Sequence, residues 1–242
     1  MTTQVVPGQL IATRDPEDGA KEAARRMTKA MEIALAARGT ATLALSGGTT
    51  PLPAYRLLAA APLPWEQIKV FWVDERAVPE DHERSNARAV REAFSGAKLV
   101  HMYPMRAASG DLDASARDYE VLLRREVRPE GGLPALDLVI LGLGDDGHTA
   151  SLFPGEPAVN EELRLVVPVP AKGQREARMT MTRPVLANSR ATLILAFGKS
   201  KNEALEKAWS LGGDPMDAPA RLTRTFRGGV TWIVDRAAGG IT

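Results

Sequence analysis

The 242-residue chain has no cysteine, which excludes disulfides, thiolate metal sites and a cysteine nucleophile. It has only three histidines, His82, His101 and His148, and no His-Glu-x-x-His spacing, so the usual zinc signatures are missing and no metal is expected. The Gly-x-Ser-x-Gly elbow of serine hydrolases does not occur either. No apolar run approaches the about 18 residues that span a membrane. The polar N-terminus lacks the basic and apolar regions of a signal peptide, so a cytoplasmic location is expected. Lys and Arg number 31 against 30 Asp and Glu, leaving a formal charge of +1. Without a global field, neither nucleic acid nor an anionic membrane is a natural partner, and any anion site must be local. Internal repeats and a domain linker are absent too, and 44% hydrophobic residues suffice for a core, so residues 1–242 are read as one domain.

What is present alternates between two periodicities. Residues 15–38 read as a long helix with Pro16 in its first turn, Gly39 as its stop, and Ala23, Met27, Ala30, Met31, Ala34 and Leu35 at helical spacing. Residues 41–45 and 68–73 read as strands, residues 99–102 as a further short one. Ser85 caps a helix reaching about Phe94, and residues 113–128 form an amphipathic helix facing Tyr119, Leu122 and Leu123 inward. Residues 138–141 are a continuous apolar run, the mark of a strand buried on both faces. Residues 164–169, 178–182 and 191–197 follow as extended segments, residues 202–209 as a helix and residues 231–234 as a last strand. Strands alternating with helices predict an α/β fold with a mainly parallel sheet flanked by helices. Ligands then bind beyond the carboxyl ends of the strands, where loops present polar groups from a rigid base.

Four of those loops carry chemistry. Ser46-Gly47-Gly48-Thr49-Thr50-Pro51 joins a strand to a helix, so free N–H groups and hydroxyls converge where the helix dipole favours an anion, with phosphate the natural guest. An ordinary turn with threonine caps is the alternative. Asp74, Glu75 and Arg76 close the strand at 68–73, as a site candidate or as a solvated ion pair. Gly198-Lys199-Ser200-Lys201 again puts cations at a helix start. The central run empties into a glycine loop with Asp145, Asp146 and His148, where a histidine is available as general base and a carboxylate two residues away can orient it. Gly142, Gly144 and Gly147 satisfy Gly-x-Gly-x-x-Gly, but a dinucleotide is disfavoured. Asp145 and Asp146 would repel pyrophosphate, and Pro154-Gly155 breaks the helix that should receive it.

Taken in order, Leu-Ser-Gly-Gly-Thr-Thr-Pro at 45–51, Phe-Trp-Val-Asp-Glu-Arg at 71–76, Ser85-Asn86, Gly-Leu-Gly-Asp-Asp-Gly-His-Thr-Ala-Ser-Leu-Phe-Pro-Gly at 142–155 and Arg-Met-Thr-Met-Thr at 178–182 resemble the glucosamine-6-phosphate isomerase/6-phosphogluconolactonase family, on its lactonase side. The resemblance implies a Rossmann-like, sugar-phosphate isomerase/deaminase-like fold. It implies hydrolysis of 6-phospho-D-glucono-1,5-lactone to 6-phospho-D-gluconate, the second step of the oxidative pentose phosphate pathway, without a cofactor. It puts the general base on His148 and the phosphate near Gly47, Gly48, Thr49, Arg178 and Lys201, with Ser46 in the same loop; Asp146, or alternatively Asp74, is expected to orient the base. Arg76 is implied at the reacting end or in phosphate contact. The expected partner is the small sugar-phosphate lactone, for a monomer with a homodimer as the alternative. The competing readings are a deaminase-like sugar-phosphate isomerase and a non-catalytic sugar-phosphate sensor. Deaminases resemble Asp-Gly-His-Ile-Ala-Phe-Asn-Glu-Pro in this loop, whereas here Glu156 falls after Pro154 and that machinery looks incomplete.

Overall fold

The computed structural model describes residues 4–240; residues 1–3 and 241–242, the ends of the expected domain, lie outside the described residues. The chain opens with strand β1 (Gln9–Thr13), helix α1 (Pro16–Arg38), β2 (Ala41–Leu45), α2 (Leu52–Ala59), β3 (Ile68–Trp72) and the short β4 (Asp74–Arg76). It continues through α3 (Asn86–Ala93), β5 (His101–Tyr103), α4 (Leu112–Glu126), the two-residue strands β6 (Pro129–Glu130) and β7 (Leu133–Pro134), and β8 (Leu138–Gly142). The last third holds β9 (Val166–Val169), β10 (Arg178–Met181), α5 (Arg183–Ala187), β11 (Ala191–Ala196), α6 (Asn202–Trp209), β12 (Gly229–Asp235) and α7 (Arg236–Gly239).

The long first helix follows from its ends. Asp15 caps it by accepting from the Asp18 N–H, Pro16 occupies the first position, and Gly39 leaves it at φ +71° with its N–H on the Leu35 carbonyl. That left-handed exit is the conformation glycine adopts without a Cβ penalty. Met27 and Met31 are fully buried, as their helical spacing predicts.

Seven strands form the central sheet in the order β1-β12-β11-β8-β2-β3-β5, and every pairing in it is parallel. From β2 the chain steps outward to β3 and β5, then returns to β8 on the other flank of β2 and steps outward again to β11 and β12. The reversal of direction lies between β2 and β8, so their carboxyl-end loops diverge and leave a crevice. All five residues of β2 are buried, as are Leu138–Leu141 of β8.

A second, antiparallel sheet, β4-β10-β9, hangs over that carboxyl edge. Val73 is the joint: its N–H still donates to the Leu45 carbonyl of β2 at 3.0 Å, while its own carbonyl accepts from Met181 N–H of β10 at 2.7 Å. The extended segments expected at 164–169 and 178–182 therefore belong to this small sheet. The strand expected at 99–102 sits at β5, and the helix expected at 113–128 runs over α4. Strand β1, a 3₁₀ helix at Pro219–Thr225 and α5 have no counterpart in the sequence reading.

Candidate active site

A cleft of about 260 Å³ opens between β2 and β8, lined by Ser46, Gly47, Gly48 and Thr49, by Asp74 and Arg76, by His148, and by Arg178 and Lys201. These residues come from five separate stretches of chain, each leaving the carboxyl end of a strand or lying in the small sheet above it. A wider hollow of about 900 Å³ between residues 102–109 and α4 contains none of them.

The imidazole is held from behind. His148 Nδ1 lies 2.5 Å from Asp146 Oδ1, and the His148 backbone N–H donates to the same oxygen at 3.0 Å. Burial pushes the Asp146 carboxyl upward, but these hydrogen bonds and the imidazole outweigh it and hold the group at about 2. Asp146 is thus an anion at neutral pH and acceptor-only, which puts the ring proton on Nδ1 and leaves Nε2 as a bare acceptor. The ring lies over Gly144, where an added Cβ would come within 2.0 Å of Nδ1; only glycine fits beneath it. On another side the Phe153 ring packs 4.5 Å from the imidazole centroid, and Arg175 sits 4.0 Å over Phe153. Asp74, the other carboxylate offered as an orienting group, is not bonded to His148.

Asp74 instead works in the floor. Buried Ser151 donates to Asp74 Oδ2 at 2.5 Å and accepts from Arg178 Nη1 at 3.3 Å, and the Arg178 guanidinium lies 3.7 Å from Asp74. Glu75 points the other way. Its two oxygens accept from the backbone N–H groups of Asn86 and Ala87 at 2.8 and 2.7 Å, capping the start of α3 as an anion at a helix N-terminus should. Burial, with Asp74 adding to it, pushes the Glu75 carboxyl up.

The cations are the second feature. Arg178 of β10 stands directly opposite Arg76 of β4 in the antiparallel register, a like-charge pairing that destabilises a sheet unless something negative comes between the two. Burial lowers the Arg178 pKa, Asp74 opposes this, and Arg76 adds to it. Lys201 reaches in from the start of α6, held by Asp145 at 2.7 Å. Facing them is the Ser46–Thr49 loop, whose Gly48 has φ +82° and whose Gly47 has no room for a Cβ, since Asn86 Oδ1 would be 1.8 Å away. Ser46 Oγ, Asn86 Oδ1, Arg76 Nε and Arg178 Nε are buried without a partner. Such polar atoms carry a cost unless a ligand satisfies them.

A family model described as glucosamine-6-phosphate isomerases/6-phosphogluconolactonase matches residues 14–232 of the chain. The chain belongs to that family. A 6-phosphogluconolactonase of Synechocystis sp. is 43% identical over 218 residues, covering 88% of this chain and 88% of the relative. The 6-phosphogluconolactonase of Mycobacterium tuberculosis is 36% identical over 226 residues, covering 89% and 91%. Among solved structures, 6-phosphogluconolactonase from Trypanosoma cruzi superposes with a TM-score of 0.85 at 27% identity, covering 99% of this chain and 98% of that one. The Rossmann-like fold of the family is therefore the fold of this chain.

Several residues of the cleft have no place in the sequence reading. Asn86 sits within a matching stretch without a role, yet its amide donates to the Asp74 carbonyl at 2.9 Å and its Oδ1 faces Gly47. Asp145 serves to hold Lys201. Ala150 lines the cleft at φ +50°, the one non-glycine residue with positive φ among the described residues, a conformation that concentrates at functional sites. No spacing in the sequence marks Ser151 as the link between Asp74 and Arg178, because that link is made by the fold across 77 and 27 residues.

Proposed function

We propose that the chain is a cytoplasmic 6-phosphogluconolactonase, hydrolysing 6-phospho-D-glucono-1,5-lactone to 6-phospho-D-gluconate in the second step of the oxidative pentose phosphate pathway. The observation that carries this reading is the meeting, in one cleft, of an oriented imidazole with two directly opposed arginines. A base alone suits many reactions, and a cation cluster alone suits any anion. Together they fit a phosphorylated ester small enough for about 260 Å³.

A six-membered lactone is an activated ester whose carbonyl accepts water without a covalent enzyme intermediate. His148 Nε2 takes a proton as the water oxygen bonds to C1, and the developing oxyanion is stabilised by Arg76 or by loop N–H groups. Collapse breaks the bond between C1 and the ring oxygen, and the proton on Nε2 passes to that oxygen as it leaves. The Ser46–Thr49 loop, Arg178 and Lys201 hold the 6-phosphate, turning remote affinity into alignment of the carbonyl. Against a deaminase-like reading, Glu156 is engaged by Lys172 at 3.0 Å and Arg175 at 3.1 Å and does not line the cleft.

Proton release from freshly made lactone, followed in a pH-stat with the spontaneous rate subtracted, tests the proposal. Enzyme-dependent turnover supports it and excludes a non-catalytic sensor. Ammonia release from glucosamine 6-phosphate without lactone turnover would replace it.

A further inference from the structure

The strands that deliver the active-site loops also meet at their amino ends, where a cleft of about 350 Å³ opens beside the starts of β2, β3, β8 and β11. Its walls carry Arg38, Lys69, Arg124, Arg125, Arg128 and Arg190. Part of this is ordinary architecture. Asp137, 8% exposed, accepts from the Thr42 N–H and hydroxyl at 2.8 and 2.9 Å and anchors Arg38 at 2.7 Å and Arg190 at 3.4 Å. Glu126 binds Lys69 at 2.9 Å and Arg125 at 2.7 Å, and Glu130 pairs with Arg190 at 2.5 Å. Arg38, Arg124 and Arg125 also occupy the last turns of α1 and α4, where a helix dipole favours cations.

The charges still do not balance. Six cations face three carboxylates, and two helix C-termini at about half an elementary charge each supply one more negative equivalent. About two positive charges are left over in a chain whose formal total is +1. Arg124 and Arg128, both exposed, make no ion pair among the described residues. Unpaired guanidinium groups on the rim of a concave, polar hollow focus a positive potential that attracts an anion. No aromatic side chain lines the hollow, so nothing there would stack a nucleobase.

We propose that this amino-end cleft is a second anion site, taking one phosphate dianion, free or as the monoester of a small polyol, with Arg124 and Arg128 closing on it from the rim. Guanidinium forks match phosphate oxygens in pairs, and the charge left over is that of one dianion. The site lies at the opposite pole of the sheet from His148, so its occupant is not the reacting substrate.

Calorimetric titration of the full chain with inorganic phosphate, and separately with a hexose 6-phosphate, tests this in wild type and in the double variant Arg124→Ala/Arg128→Ala. Wild type should bind two equivalents, one in each cleft, and the double variant should keep the carboxyl-end equivalent while the other weakens by about 10-fold or more, with lactone turnover and thermal stability in chloride unchanged. The probe bound more tightly at the equivalent that the double variant loses identifies the source of the phosphate group. Equal binding by wild type and variant, or heat reproduced by chloride at matched ionic strength, overturns the proposal. Lactone turnover, read in the same preparations, reports the carboxyl-end cleft independently.

Discussion

Replacing Asp146 by asparagine tests the step on which the proposed chemistry turns. The carboxylate sits 2.5 Å from His148 Nδ1, and against the upward push of burial its bonds to His148 hold it at about 2, so it fixes the ring proton on Nδ1 throughout the neutral range. An amide either accepts through its oxygen, without charge, or donates through its nitrogen, which drives the proton to Nε2 where the base must be bare. A charge-assisted hydrogen bond contributes about 1.5–3 kcal/mol, or about 10- to 100-fold in kcat. Because the Asp146 side chain is 51% exposed, solvent screening puts the expected loss toward about 10-fold. KM should hold, since Asp146 is not among the residues lining the cleft. Asp74→Asn should behave in the opposite way, raising KM for the phosphorylated lactone, because Asp74 steadies Arg178 at 3.7 Å and Ser151 at 2.5 Å. Initial rates over a range of fresh lactone separate the two parameters. Full kcat in Asp146→Asn together with a lost kcat in Asp74→Asn would refute the assignment of the orienting carboxylate.

His148→Ala should lower kcat by about 10²- to 10⁴-fold with little change in KM, measured in the same assay; near-normal kcat would move the base elsewhere. Arg178→Ala and Lys201→Ala should each cost about 10- to 100-fold in kcat/KM on the 6-phosphorylated lactone and almost nothing on unphosphorylated glucono-1,5-lactone; equal fractional losses on both would remove the phosphate assignment. Exhaustive EDTA treatment should leave activity unchanged, because the described residues include no group of three His, Asp or Glu side chains able to hold an ion, and activity lost to chelation and restored by a divalent ion would contradict this. Hydrogen bonds from Lys69 and Arg125 hold Glu126 down from 4.5 to about 2, so its contribution is complete above about pH 4.5 and lost as pH falls through about 2. After solvent screening, Glu126→Gln should therefore lower the urea-unfolding free energy by about 1 kcal/mol at pH 7, with the deficit fading toward pH 2.

The buried strands were legible because burial on both faces leaves an unbroken apolar run: residues 41–45 and 138–141 could hardly be anything else. Strand β1 was not, since it is an edge strand whose Gln9, Leu10 and Ala12 are exposed and whose apolar run is only three residues long. The glycine loop and His148 could be found because each follows a strong strand directly. The division of labour among Asp74, Glu75 and Asp146 could not, because three carboxylates near strand ends look alike until the chain turns. It is the break at Val73 that sends Asp74 to Ser151 and Arg178, and the start of α3 that claims Glu75. Long-range partners of this kind leave no periodic trace.

The three cations of the cleft are not equivalent, and their partners say how each can act. Arg178 and Asp74 are both largely buried, with side chains 15% and 6% exposed. Breaking such a pair would strand a charge in the interior, so Arg178 must meet an anion from where it stands. Lys201 is paired with a carboxylate that is 65% exposed, and a surface pair of that sort holds by about 0–1 kcal/mol. Lys201 can therefore leave Asp145 for a phosphate at little cost. Arg76 makes no ion pair among the described residues; its guanidinium donates to the Arg84 carbonyl at 2.5 Å, and from a longer range it helps hold the Glu176 carboxyl below its usual value. Arg76 is thus less committed than its register partner Arg178, which lies 3.7 Å from Asp74 and 3.9 Å from Glu176. Two unit charges 4 Å apart at an effective dielectric near 20 interact by about 4 kcal/mol, and Arg76 can offer that attraction without first breaking a direct ion pair. A developing oxyanion, which carries its full charge only at the transition state, gains most from a cation of this kind.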